Sequence, residues 1–358
     1  MKLHVVSLPH TQTTKAYSTC AYTQKVRKFC DMMSDLGYEV VLYASEDNEA
    51  EVSELVTCIT KGEQELLGFY GPEDYIKIDF NPSGEIWGHF NKNVINAMEK
   101  RIGAKDLICI ITSSPAEAIV DAFPSNISIE FGIGYSHTLK GKAHRVFESY
   151  AWMHYVYGAE GADGNDFDAV IPNYFEPEEF PLGNQDGGYY LFIGRITEKK
   201  GYRVAIEVCE KLNKKLVIAG PNTDGTTFPD HVEYVGVVGP KERAKLMGGA
   251  KAVFVPTRYI GPFEGVAVEA LMCGTPVITT DFGAFTEYVN DGVNGFRCRS
   301  FQDYIDAVET IERNKHILNN WIVRRAAINQ FSVDIVSKQY DRYFKKLQTL
   351  HKDGWYTT

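Results

Sequence analysis

Behind a glycine, two cations stand five residues apart in the run Leu191-Phe192-Ile193-Gly194-Arg195-Ile196-Thr197-Glu198-Lys199-Lys200-Gly201. The apolar residues before Gly194 read as a strand and those after Gly201 as a helix. Gly194 allows a ligand close to the backbone, while Arg195 offers a planar fork and Lys200 a compact charge, which suits diphosphate oxygens. A solvated loop with surface lysines would have the same composition. A second run, Pro262-Phe263-Glu264-Gly265-Val266-Ala267-Val268-Glu269, continues through Gly274 to Ile278 as turn, helix and strand. The start of that helix leaves amides without helical partners, and those of Glu264, Gly265 and Val266 could hold hydroxyls. Glu269, about a turn further in, could grip the vicinal hydroxyls of a sugar or ribose. The bland alternative is a helix-face carboxylate in water. His10, Lys15, Tyr135 and His137 fall in loops after strands, where an acceptor could enter, although a loop histidine is commonly just solvated.

Such residues converge only if strands carry them to one edge. Short apolar runs alternate with helical patterns along almost the whole chain, which predicts an α/β protein with parallel sheets covered on both faces. In the first half the strands are expected at Leu3 to Leu8, Glu39 to Tyr43, Asp106 to Thr112 and Asn126 to Phe131. In the second they are expected at Tyr189 to Ile193, Lys215 to Ala219, Val232 to Val235, Ala252 to Val255 and Pro276 to Thr279. Tyr22, Val26, Phe29, Met33 and Leu36 line one face of a helix that Gly37 stops. The proline breaks of Ile171 to Pro177 and the glycine-rich Gly183 to Gly188 predict a hinge. The expected domains are 1–170 and 171–332. A helix over about 333–358, with Val336, Tyr340, Tyr343, Phe344 and Leu347 on one face, is expected to pack back on the first.

Composition narrows the classes. The 358 residues suffice for two domains, with 44% hydrophobic and 23% charged residues, as in ordinary globular proteins. A formal charge of -10 opposes a sequence-blind hold on polyanions. No apolar run reaches membrane-spanning length, so a cytoplasmic protein without integral membrane contact is expected. The seven cysteines are scattered and lack the short paired spacings of a metal site, so they read as reduced thiols and no metal is expected. Gly132 and Gly134 lack the third glycine of a dinucleotide fingerprint.

Together the two runs, roughly 60 to 70 residues apart, resemble the donor domain of the retaining glycosyltransferases of family 4. That resemblance implies the GT-B fold, two Rossmann-like doubly wound domains facing across a cleft. Gly194, Arg195, Lys200 and Gly201 match the family's Gly-Arg-x4-Lys-Gly pattern, which implies that Arg195 and Lys200 stabilise the leaving nucleoside diphosphate. Glu269 matches the last glutamate of the family's Glu-x7-Glu motif, implying a ribose contact. The motif's first position is Gly261, and Glu264 is expected to substitute for it. Val238 lies in the region resembling the base-binding strand, and His137 follows the strand that carries the family's histidine. The implied reaction takes a nucleotide diphosphate sugar as donor substrate, needs no cofactor and delivers to a glycan or small-molecule hydroxyl. Hydroxymethylated DNA is a further acceptor, because Pro9 to Lys28 is similar to phage-borne members and Lys15, Lys25, Arg27, Lys28, Lys140, Lys142, His144 and Arg145 add local positive charge. A nucleotide-sugar epimerase and an inactive nucleotide-sugar binder are the rival readings.

Overall fold

Strands rich in Val, Ile and Leu, buried on both faces, build two parallel sheets. The computed structural model describes residues 1–69, 71–72, 83–132, 139, 141–313 and 318–350. The first sheet holds β1 (Lys2–Val6), β2 (Glu39–Ser45), β3 (Glu54–Ile59), β4 (Leu107–Ile110), β5 (Ile127–Glu130), β6 (His144–Phe147) and β7 (Ala169–Val170). Their order is β3-β2-β1-β4-β5-β6-β7. The second holds β8 (Tyr190–Ile193), β9 (Leu216–Ala219), β10 (Val232–Tyr234), β11 (Val253–Val255), β12 (Val277–Thr280) and β13 (Gly295–Cys298), ordered β10-β9-β8-β11-β12-β13. Each order reverses once, between β1 and β4 and between β8 and β11. In open sheets of this kind, ligands settle beyond the carboxyl ends of the strands at that reversal.

The nine expected strands are present, with ends shifted by up to two residues. Four others, β3, β6, β7 and β13, were not anticipated. β3 and β13 are edge strands, β6 carries His144 and Arg145, and β7 spans two residues, so none shows the uninterrupted apolar run of a central strand. The helix Ala21–Asp35 buries Val26, Phe29 and Met33, and Gly37 closes its end at φ 81°. Leu36 departs from the expected stripe and is exposed, because it lies past the helix at the turn.

The chain divides into two compact units. The first comprises Met1–Glu148, Gly161–Tyr174 and Val336–Thr358; the second comprises Ser149–Glu160 and Phe175–Ile335. This differs from the expected 1–170 and 171–332 with a returning helix chiefly in giving Ser149–Glu160 to the second unit. The first residues of that segment bond there. The Ser149 hydroxyl donates to the Pro262 carbonyl at 2.8 Å, and Glu287 accepts from the amides of Tyr150 and Ala151 at 3.1 and 2.8 Å. A carboxylate at a helix start satisfies orphan amides and meets the positive end of the helix dipole. In the first unit, Tyr340 and Phe344 from the helix Val333–Leu350 are wholly buried, and Tyr340 meets Phe29 edge-on at 5.2 Å. All seven cysteines are buried and free.

Candidate functional site

At the carboxyl end of β8 the backbone lies open. The Gly194 amide donates to the Ala219 carbonyl at 3.0 Å, and the Gly220 amide to the Gly236 carbonyl at 2.8 Å, tying together the loops that leave β8, β9 and β10. Gly220 has φ 135°, and a Cβ there would meet the Gly194 carbonyl oxygen well inside 3.0 Å, so only glycine fits. This approach makes a floor without side chains beside Gly194. The Gly194 half was legible in the sequence; the Gly220 half was not, because it is a contact between two strands' ends.

The two cations that follow Gly194 in the chain are in different states. Arg195 is exposed and makes no side-chain hydrogen bond or ion pair among the described residues. Lys200 is engaged: its Nζ lies 2.7 Å from Glu264 Oε2 and 5.1 Å from the centroid of the Tyr259 ring. Its side chain is 21% exposed, that of Glu264 only 6%. The turn carrying Lys200 packs tightly on the loop after β11. Gly201 would drive a Cβ into the Pro256 carbonyl, and the Arg258 amide donates to the Lys199 carbonyl at 2.8 Å. The reversal between β8 and β11 thus places Lys200 beside the second run.

That run is the loop entering the helix Gly265–Met272. Phe263 anchors it in an aromatic cluster with Phe175, Tyr288 and Phe331, with ring centroids at 6.3, 5.6 and 5.5 Å. The Tyr288 hydroxyl donates to the Phe263 carbonyl at 2.9 Å. The helix cap, Glu264, has left-handed backbone angles of φ 63° and ψ 64°. Gly265 and Val266, both half-buried, form the first turn with amides the helix cannot satisfy. Glu269 is 14% exposed and lies 3.1 Å from Nε of Arg243, which comes from the helix Pro240–Gly249. Sequence reasoning missed Arg243, for no local pattern links it to a residue 26 positions on. Val238 is half-buried against the unit's core.

In the first unit, the loop after β1 holds His10 and Lys15. His10 is 2% exposed and packs by Phe69 and Trp87, with burial lowering its pKa to about 3, so the ring is turned inward as a neutral group instead of facing solvent. Buried amides stiffen the same loop: Gln12 donates to Gln64, which donates to the Pro9 carbonyl at 2.7 Å. Lys15 is exposed. Tyr135, His137 and Lys140 lie outside the described residues. Four of the eight basic residues that suggest an anionic acceptor are answered internally. Lys25 pairs with Glu148 at 2.6 Å, Arg27 with Asp31 at 2.8 Å, Lys142 with Glu117 and Asp121 at 2.6 and 2.9 Å, and Arg145 with Asp168 at 2.9 Å. Glu130, wholly buried at the end of β5, has its pKa raised to about 7 by burial, with the Leu139 amide donating to it at 3.1 Å.

A cavity of about 850 Å³ in the second unit holds none of the site residues; Val204, Arg258, Asp281 and Tyr304 are among its walls. Among the described residues no group of three or more His, Cys, Asp and Glu is placed to hold a metal ion, and no helix is long and apolar enough to cross a membrane.

Residues 175–328 match the family model described as glycosyl transferases group 1. An uncharacterized glycosyltransferase of Methanocaldococcus jannaschii is 29% identical over 177 residues, 45% of this chain and 44% of that protein. The D-inositol 3-phosphate glycosyltransferase of Mycobacterium leprae is 31% identical over 192 residues, 48% of this chain and 45% of that protein. The chain thus spans less than half the length of these curated relatives. Among solved structures, sucrose-phosphate synthase from Thermosynechococcus elongatus superposes with a TM-score of 0.71 at 14% identity, over 97% of this chain and 99% of that one. Anabaena HepE, solved in complex with UDP and glucose, gives 0.67 at 15% identity, over 97% and 100%. The fold is GT-B, with two Rossmann-like units.

Proposed function

We propose that this chain is a glycosyltransferase that moves a sugar from a nucleoside diphosphate to an acceptor hydroxyl with retention at the anomeric carbon. The observation that carries the reading is the Lys200–Glu264 ion pair where the loops after β8 and β11 meet at the sheet reversal, within the stretch that matches glycosyl transferases group 1. The glycine floor admits the diphosphate. Arg195 and Lys200 neutralise the charge that grows on it as the glycosidic bond breaks, a contact stronger in the transition state than in the ground state. Amides at the start of the helix Gly265–Met272 face the sugar, and Glu269, steadied by Arg243, takes the ribose hydroxyls. With attack from the face the diphosphate leaves, the departing phosphate oxygen accepts the acceptor's proton, so neither a carboxylate base nor a metal is called on.

The acceptor of this reading is a glycan or small-molecule hydroxyl, since the internal pairing of Lys25, Arg27, Lys142 and Arg145 weakens the motive for an anionic one. Uridine is the first base to try, because HepE was solved with UDP. The test is a panel of nucleotide sugars screened by thermal shift, followed by product analysis with hydroxyl acceptors and assignment of the anomeric configuration by NMR. A bound donor stabilises the native state by mass action. Absence of any stabilising nucleotide sugar, or an inverted product, overturns the reading.

A further inference from the structure

A carboxylate is an unfavourable neighbour for a diphosphate, yet Glu264 sets one 2.7 Å from the Lys200 ammonium. It does so from a left-handed backbone that a residue with a Cβ adopts only under constraint. The carboxylate folds back over Gly261, where a Cβ would meet Glu264 Oε1 well inside 3.0 Å. Gly261 and Glu264 are therefore a matched pair: one lacks a side chain where the other's must lie. Between this carboxylate and the Tyr259 ring, the ammonium is held from two directions.

Resting on the donor reading above, we propose that Glu264 is a positioning residue that sets the charge of the diphosphate site. It lets the site hold a diphosphate still capped by its sugar and release the uncapped diphosphate left after transfer. The cations Arg195 and Lys200 against the anion Glu264 give a local charge near one positive unit. A capped diphosphate carries two negative charges at neutral pH, and the uncapped product gains most of a third, because a terminal phosphate loses its second proton near pH 6. A phosphate oxygen drawn to Lys200 comes to on the order of 5 Å from the Glu264 carboxylate, two charge-assisted contacts laid end to end. At an effective dielectric constant of about 20, the added charge meets a repulsion worth tenfold or more in affinity.

Calorimetry on the full chain tests this with UDP and UDP-glucose, GDP and GDP-mannose, and ADP and ADP-glucose, using whichever pair binds the unaltered protein. Glu264→Gln keeps the shape and removes the charge. Glu264→Gly also removes it and suits the left-handed backbone, so a folding failure of the first variant does not end the test. Both variants are expected to tighten the uncapped diphosphate by on the order of tenfold more than its capped partner. Product inhibition should deepen in step. Equal changes for the two ligands, or none, overturn this role and leave the donor reading standing. Failure of every pair to bind the unaltered protein overturns the donor reading and this role with it.

Discussion

Replacing Lys200 with alanine removes one half of an ion pair whose other half has almost no access to water. Glu264 is 6% exposed and Lys200 21%, with 2.7 Å between their charged atoms. A buried group that loses a charged hydrogen-bond partner is destabilised by about 1–3 kcal/mol. Water can reach the vacated side, since a fifth of Lys200 already faces it, so the middle of that range, about 2 kcal/mol, is expected. For a unit of this size, a melting point falls by about 2–4 °C per kcal/mol, hence roughly 4–8 °C here. The double variant Lys200→Ala/Glu264→Gln should regain most of that loss, since a neutral amide does not require the ammonium. It should regain none of the turnover, which we expect to fall more than tenfold in both variants as the diphosphate loses a charge-assisted contact. Thermal unfolding by circular dichroism and initial rates at saturating donor read the two effects separately. If the single and double variants melt together, the pair does not hold this turn. If Lys200→Ala turns over within about threefold of the parent, a difference under 1 kcal/mol, Lys200 is not a diphosphate ligand.

Gly220→Ala should lose about 2–4 kcal/mol and nucleotide affinity together, because its Cβ would strike the Gly194 backbone. A urea midpoint unchanged within error would contradict that close approach. Arg243→Ala leaves Glu269 without the guanidinium at 3.1 Å and should weaken nucleotide binding by roughly fivefold, about 1 kcal/mol, with little change in melting. Unaltered affinity by calorimetry would remove Arg243 from any positioning role. For Glu130 the folded-state pKa, about 7, stands above the unfolded value, so folding takes up a proton between roughly pH 4.5 and 7 and its stabilisation is lost as pH rises through that window. Glu130→Gln should therefore gain stability relative to the parent at pH 8 and not at pH 4.5, measured by denaturant midpoints. The same gap at both values would refute the shift.

What could be read from the chain follows from how local each cause is. Central strands such as β4 and β9 announce themselves as unbroken apolar runs, because burial on both faces leaves little room for polar residues. The edge strands β3 and β13 admit Thr and Arg and look like loops. Gly194, Arg195 and Lys200 could be picked out by spacing, since one short segment between β8 and the next helix carries all three. Arg243 beside Glu269, and Gly220 beneath Gly194, depend on helices and strands far apart in sequence. His10 was misjudged because a loop after a strand is expected to be wet. Here Phe69 and Trp87 enclose it.

The order of synthesis adds a constraint that the native contacts alone do not display. Tyr340 and Phe344, both wholly buried, complete the aromatic packing around Phe29 and Tyr38 in the first unit. A ribosome makes them only after the second unit, Ser149–Glu160 and Phe175–Ile335, has been made in full. Until then the first sheet carries an open apolar seam while its neighbour is free to fold, so the earlier-made half matures later. A stalled or clipped chain ending near residue 335 would expose that seam, leaving an aggregation-prone first unit beside a soundly folded second one.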